Sequence, residues 1–264
     1  MRHWLFVLFF GMSLFSVEPI FCTRPPVSAD SLILEMNRDF QEGRIARACS
    51  LAHELSNHYW FAGATDSSLV YSEKTYDWAV RQRDTVNQLK GLTNSAYNYQ
   101  HRGDFQKAIS CFEKAIALSE QAHDTLQWAN SLENLSVLYG STGRTDYPRS
   151  LELLLKAAKL KEDSKAFNFL PGTYKNISTV FKEVGDTVNR EKYLMKSVAL
   201  VDEGKVMNPT FQAAVYNEAG RFYTEEKPDY PKAWEYFGKV LEVSKKLKWK
   251  KGISVSLSNM ANVK

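Results

Sequence analysis

The chain has 264 residues, of which 44% are hydrophobic and 24% charged, with 13 Gly and 8 Pro. That balance fits a soluble globular protein of one or two domains and excludes a collagen-like or disordered chain. The formal charge of +4 is scattered rather than gathered on one stretch, which excludes the dense basic footprint of a nucleic-acid-binding region.

Residues 1–22 read as a secretory signal. Arg2 and His3 precede an apolar run from Trp4 to Val17, interrupted by Gly11, Ser13 and Ser16 and ended by Glu18 and Pro19. Fourteen residues reach about 21 Å as a helix, short of the ~30 Å of a bilayer core. The segment is therefore expected to be cleaved rather than to anchor the chain. Cleavage after Cys22 lies close to the apolar run, and Val27-Ser28-Ala29 fits the small-x-small rule farther on. Phe21 stands where lipidation at Cys22 would need a small residue. With Cys22 removed, Cys49 and Cys111 remain. Their pairing in an oxidising compartment stays open, and a buried free thiol is the default for each.

A lead-in helix is predicted near 30–41, then helices near 44–60 and 66–82. His53 and His58 look like a zinc-protease helix, but that motif needs histidines four apart. Five apart places them roughly 140° around the helix. From 83 to 251 four longer units recur. The first reads Leu92-Thr-Asn94-Ser-Ala96-x-x-Tyr99-x-x-x-Gly103-Asp104-Phe105, then Ala108, Phe112 and Ala115. The second runs Leu132, Asn134, Ser136, Tyr139 and Gly143, then Tyr147, Ser150, Leu154 and Ala157. The third runs Tyr174, Asn176, Ser178, Phe181, Gly185 and Asp186, then Leu194 and Ser197. The fourth runs Tyr216, Ala219, Gly220 and Tyr223, then Tyr230, Ala233, Phe237 and Val240. The aromatic at 99, 139, 181 and 223 returns every 40 to 42 residues.

Each unit is two amphipathic helices. The first ends at Gly, or at Lys227-Pro228 in the fourth, and Asp or Pro opens the second. Ala96, Ser136, Ser178 and Gly220, with Ala108, Ser150 and Ala233, fall where the two helices must approach closely. The recurring aromatics are expected to fill the groove toward the next unit. Tyrosines in such a protein act as wedges with a buried ring and a wet phenol. Carboxylates fall at solvated helix positions. The lysines at 245, 246, 248, 250 and 251 around Trp249 read as a solvated helix C-terminus. Residues 252–264, with Leu257-x-Asn259-Met260-Ala261, open the first helix of a further unit.

These residues resemble the tetratricopeptide repeat. The Gly-Asp-Phe turn with Ala108, Phe112 and Ala115 carries the match most closely, and the other copies match in part. Arg190 stands where the family has a small residue, and the second and fourth copies carry extra residues in the turn. The period near 41 exceeds the family's ~34, with linkers at His123-Asp124 and Lys248–Gly252. The resemblance extends upstream over a degenerate first unit at 44–82. It implies an all-α fold: a right-handed solenoid of antiparallel helix pairs, an α-α superhelix with an extended concave surface lined by first helices. It also implies a protein or peptide partner on that surface.

One slot there stands out. Asn94, Asn134, Asn176 and Asn259 hold the same position, two residues after the first-helix anchor, and Glu218 replaces it in the fourth unit with Asn217 beside it. Such a ladder can bond both the N–H and C=O of an extended peptide, or it can bond within the repeats. Tyr97, Lys175 and Arg221 are further candidates on that face. Asn134 and Asn176 also fit a glycosylation sequon, read here as chance. No phosphate loop, Cys-x-x-Cys or catalytic arrangement stands out, so no enzyme activity, cofactor or metal is expected.

An export signal followed by long-period repeats resembles the extracytoplasmic sensor region of gram-negative histidine kinases or transcriptional regulators. There, repeats precede a transmembrane helix and a signalling domain, so this chain is expected to be a piece of a longer one. The rival is a free-standing periplasmic or outer-membrane assembly scaffold. A catalytic site hidden in the concave groove is a third reading.

Overall fold

The computed structural model describes residues 28–141 and 145–263. The expected signal segment and Gly143 lie outside the described residues. The described residues form twelve α-helices and no strand. In chain order these are α1 (Ala29–Gln41), α2 (Ile45–Phe61), α3 (Thr65–Gln82), α4 (Thr85–Arg102), α5 (Phe105–Gln121) and α6 (Thr125–Ser141). There follow α7 (Tyr147–Asp163), α8 (Leu170–Glu183), α9 (Thr187–Asp202), α10 (Pro209–Glu225), α11 (Tyr230–Lys246) and α12 (Lys250–Asn262). The chain divides into two compact units, one through Asp146 and one from Tyr147. Within each unit every helix packs on the next in sequence, and turns of a few residues reverse the chain each time. The result is a helical solenoid of antiparallel neighbours in each unit.

The core is divided as a stack of pairs requires. Leu32 and Met36 of α1 bury against Ala48, Leu51, Ala52 and Leu55 of α2. Leu89 and Leu92 of α4 meet Ala115 of α5. In the second unit Leu154 and Ala158 of α7 join Leu170, Tyr174 and Ile177 of α8. A larger cluster around Phe222 and Phe237 closes α9, α10 and α11. The small residues at the close approaches are fully buried, Ala96, Ala108 and Ala233 among them. Gly220 has no room for a Cβ, which would meet the ring of Phe237 at 2.5 Å. Gly91 is less forgiving, because the obstacle is backbone: a Cβ there would lie 2.7 Å from the amide nitrogen of Tyr76.

The turns explain the spacing of aromatic, Gly and Asp. The amide of Asp104 donates to the carbonyl of Tyr99, and that of Asp186 to Phe181, as a left-handed residue closes the helix end. In the two copies with extra turn residues the same carbonyl still receives the Asp, Asp146 on Tyr139 and Asp229 on Tyr223. The insertions are absorbed before the Asp. Asp186 and Asp229 then accept from the amides of Asn189 and Lys232 and start the next helix. Those backbone bonds, with side-chain bonds from the same two residues, hold both carboxyls below the usual range.

Three expectations are corrected. The recurring aromatics do not fill the groove ahead: Tyr99 and Tyr223 reach back to the second helix of the preceding pair, and Phe181 stacks on Tyr193 of its own pair. Nor are the phenols simply wet. Tyr99 donates to Glu73 at 2.5 Å, Tyr174 to Glu162 at 2.5 Å, Tyr216 to Asp202 at 2.6 Å and Tyr223 to Glu191 at 2.8 Å. A phenol at the edge of the core gains more from a fixed carboxylate than from water. Each of these four is pushed up, Tyr99 to about 12 by its bond to Glu73 and the other three by burial and then by the bonded carboxylate. The carboxylates are also not all solvated. Asp39 is fully buried at the end of α1, paired with Arg44 and Arg47, which stand at the start of α2 and fix the first turn.

Candidate partner-binding face

In the first unit the ladder slots are engaged with one another. Asn94 on α4 donates its amide to Asn57 Oδ1 at 2.9 Å and Ser56 Oγ at 3.2 Å on α2, and lies 3.4 Å from His53 Nδ1. Tyr97, one turn farther along α4, donates to Asn134 Oδ1 on α6 at 2.9 Å. Burial, and then the charge of Glu133, pushes the Tyr97 phenol up to about 12, so it stays a donor. Asn134 keeps its own amide N–H groups for other use. Burial, and then Lys90, pushes His53 below its usual range, so the first slot holds a neutral imidazole.

In the second unit a ladder residue again bonds the neighbouring first helix, at a different partner position. Asn259 on α12 donates to Asn217 Oδ1 on α10 at 2.8 Å. Glu218 instead takes an ion pair from Arg190 at 2.9 Å. Arg190 is only 2% exposed, also bonds Glu226 and lies over the ring of Phe222. The two departures from the repeat pattern, an arginine where a small residue belongs and a glutamate where an asparagine belongs, thus answer each other. Arg221 pairs with Glu225 one turn along its own helix at 3.1 Å. Lys175 and Asn176 on α8 are half-buried, and their side chains bond no described residue.

Sequence reading did not find several members of this face. His53 is spaced in the sequence like half of a metal-ligand pair, Ser56 and Asn57 lie in the degenerate copy at 44–82, and Asn98 falls between the marker positions of the best-matching copy. A shallow cleft of about 110 Å³ opens in the first unit between Asn57, Trp60, Phe61, Ser68, Asn94, Tyr97 and Asn98. Cys49 and Cys111 are both free thiols, and Cys49 donates to the carbonyl of Thr75 at 3.3 Å. Burial, and then Asp84, pushes the Cys49 thiol up to about 11. Among the described residues no cluster of His, Cys, Asp and Glu could hold a metal ion, and no helix is long and apolar enough to cross a membrane.

Residues 87–163 match the family model of the tetratricopeptide repeat. Among solved structures the apo form of RapI is similar over 88% of this chain and 95% of its own, at 15% identity and a TM-score of 0.59. BtubC of P. vanneervenii is similar over 84% and 90%, at 14% identity and a TM-score of 0.69. A kinesin light chain of tetratricopeptide-like repeats from Podospora anserina is similar over 75% and 96%, at 17% identity and a TM-score of 0.58. A search of curated protein sequences returned no match. At these identities the structures speak for the fold.

Proposed function

We propose that this chain of tetratricopeptide repeats is a binding scaffold that holds an extended peptide or partner protein along its first helices, and that it works by binding rather than catalysis. One observation carries the reading: the slots of the first-helix face hold half-buried polar groups, some of them held by the neighbouring helices, whose bonding capacity is only partly used. The amide of Asn134, and Asn176 with Lys175, offer bonds that the fold itself leaves open. Polar groups left open on first helices suit the N–H and C=O groups of an extended peptide better than a compact small molecule.

The same reading takes the N-terminal segment as an export signal and places the mature chain in the periplasm or cell envelope of a gram-negative bacterium. There it acts as the input region of a signalling protein, and partner binding changes the curvature of the repeats. The free-standing assembly scaffold shares the binding step and differs in what the reading frame encodes beyond the repeats.

The test is panning of the chain against a random-peptide library, followed by Asn176→Ala and Lys175→Ala. Enriched peptides whose affinity falls about tenfold in these variants support the reading, at one hydrogen bond each. No enrichment, or enriched peptides indifferent to both substitutions, removes it. N-terminal sequencing of envelope-fractionated protein tests export separately and should find a start between residues 23 and 30.

A further inference from the structure

The cleft in the first unit has an acceptor on its floor and rings on its walls. Asn98 lines it and is 1% exposed. Its Nδ2 donates to Ser68 Oγ at 3.0 Å and to the carbonyl of Asn94 at 2.8 Å, while its Oδ1 accepts no bond. Buried acceptors left in this state are rare in native interiors. Trp60 and Tyr97 stand beside each other with ring centroids 6.4 Å apart, and Tyr97 packs edge-on against Phe112. Phe61, at the end of α2, is 77% exposed and forms part of the rim. None of the lining residues carries a charge.

We infer that this cleft takes the phenol of a tyrosine from the bound peptide, its ring against the wall formed by Trp60 and Tyr97 and its hydroxyl donating to Asn98 Oδ1. Each feature selects for that group. The free acceptor asks for a donor. The aromatic walls ask for an apolar body with a π face. With no carboxylate in the lining, a lysine ammonium would lose its water without gaining an opposite charge. The volume of about 110 Å³ is below the roughly 150 Å³ that seals in a benzene. A ring therefore enters tip first from the open side, and in tyrosine the hydroxyl is at the tip. Phe61 would then cover the outer edge of the ring and lose its exposure.

The inference rests on the peptide-binding reading, and one set of titrations separates the two. N-acetyltyrosinamide, N-acetylphenylalaninamide and N-acetyllysinamide are added to the chain while the indole N–H of Trp60 is followed by NMR, assigned with Trp60→Phe. The tyrosine probe should shift that signal saturably. The phenylalanine probe should bind about tenfold more weakly, the worth of one hydrogen bond to a buried acceptor, and the lysine probe should leave it still. Asn98→Leu, which keeps the bulk and removes the acceptor, should bring the tyrosine probe to the level of the phenylalanine one. If that variant fails to fold, the comparison of probes on the unaltered chain decides alone. Equal binding of tyrosine and phenylalanine, tighter binding of lysine, or no shift with any probe overturns the assignment, the last meaning that solvent satisfies Asn98. Library peptides that bind without moving Trp60 would sink the tyrosine site and spare the peptide reading. A saturable tyrosine shift with no enriched peptide would do the reverse.

Discussion

Arg190 puts a full positive charge at a position built for a small side chain, and Glu218 on α10 and Glu226 just after its end are what make it tolerable. Arg190→Ala should cost about 3 kcal/mol in denaturant unfolding, because two half-buried carboxylates are left facing each other. Adding Glu218→Asn, which restores the ladder residue, should recover at least about 1 kcal/mol; a double variant no better than the single one would refute the pairing. Both departures were visible in the sequence as breaks in the repeat, but nothing in a one-dimensional pattern says that they meet. His53 has a pH signature. Its folded value is depressed by burial and by Lys90, so its neutral form is the native one. Stability is complete above the unfolded value of about 6.5 and is lost as pH falls from there through the folded value. Melting curves between pH 7.5 and 5 should therefore fall more steeply for the natural chain than for His53→Asn, and parallel curves would contradict this. His53 was hidden as a ladder residue because its copy of the repeat has lost the other markers.

At the scale of the element, helix ends were most legible where glycine marks them. Gly103 and Gly185 close α4 and α8 in left-handed geometry, and the sequence announces both. Four of the turns between pairs use the same geometry without glycine, at Arg83, His123, Lys165 and Lys248, while the turn after α9 has Gly204. The stretches at His123-Asp124 and Lys248 carry no such mark, and Lys250 already begins α12. A side chain in that region of backbone space costs about 1 kcal/mol. Lys248→Gly should accordingly raise the melting temperature by about 2–4 °C, and a lowered value would mean that the lysine makes a compensating contact. The tyrosine–carboxylate bonds between helices escaped the sequence for a different reason. Their partners lie 26, 12, 14 and 32 residues upstream, so no single spacing gives them away.

Over the whole molecule, a core divided among successive neighbours makes stability local, since each helix owes its burial to the two beside it. Native-state hydrogen exchange should show the gradient within each unit: α1 and α12, which have few neighbours, exchange faster than α4 and α10. Uniform protection would mean a single cooperative core instead. The all-α class and the pairing of helices were readable throughout because both depend on patterns within about 40 residues. The cleft was not, because it draws on three helices and on an acceptor identified only by its missing partner. The direction of the tyrosine bonds has a further consequence for how the chain is made. All four tyrosines reach toward residues that leave the ribosome before them, so each finds its carboxylate already in place as synthesis proceeds. Arg190 runs against that order. Its partners follow by 28 and 36 residues, and until they emerge the nascent second unit holds a cation it cannot bury. Closure of that unit around Arg190 therefore needs the chain as far as Glu226.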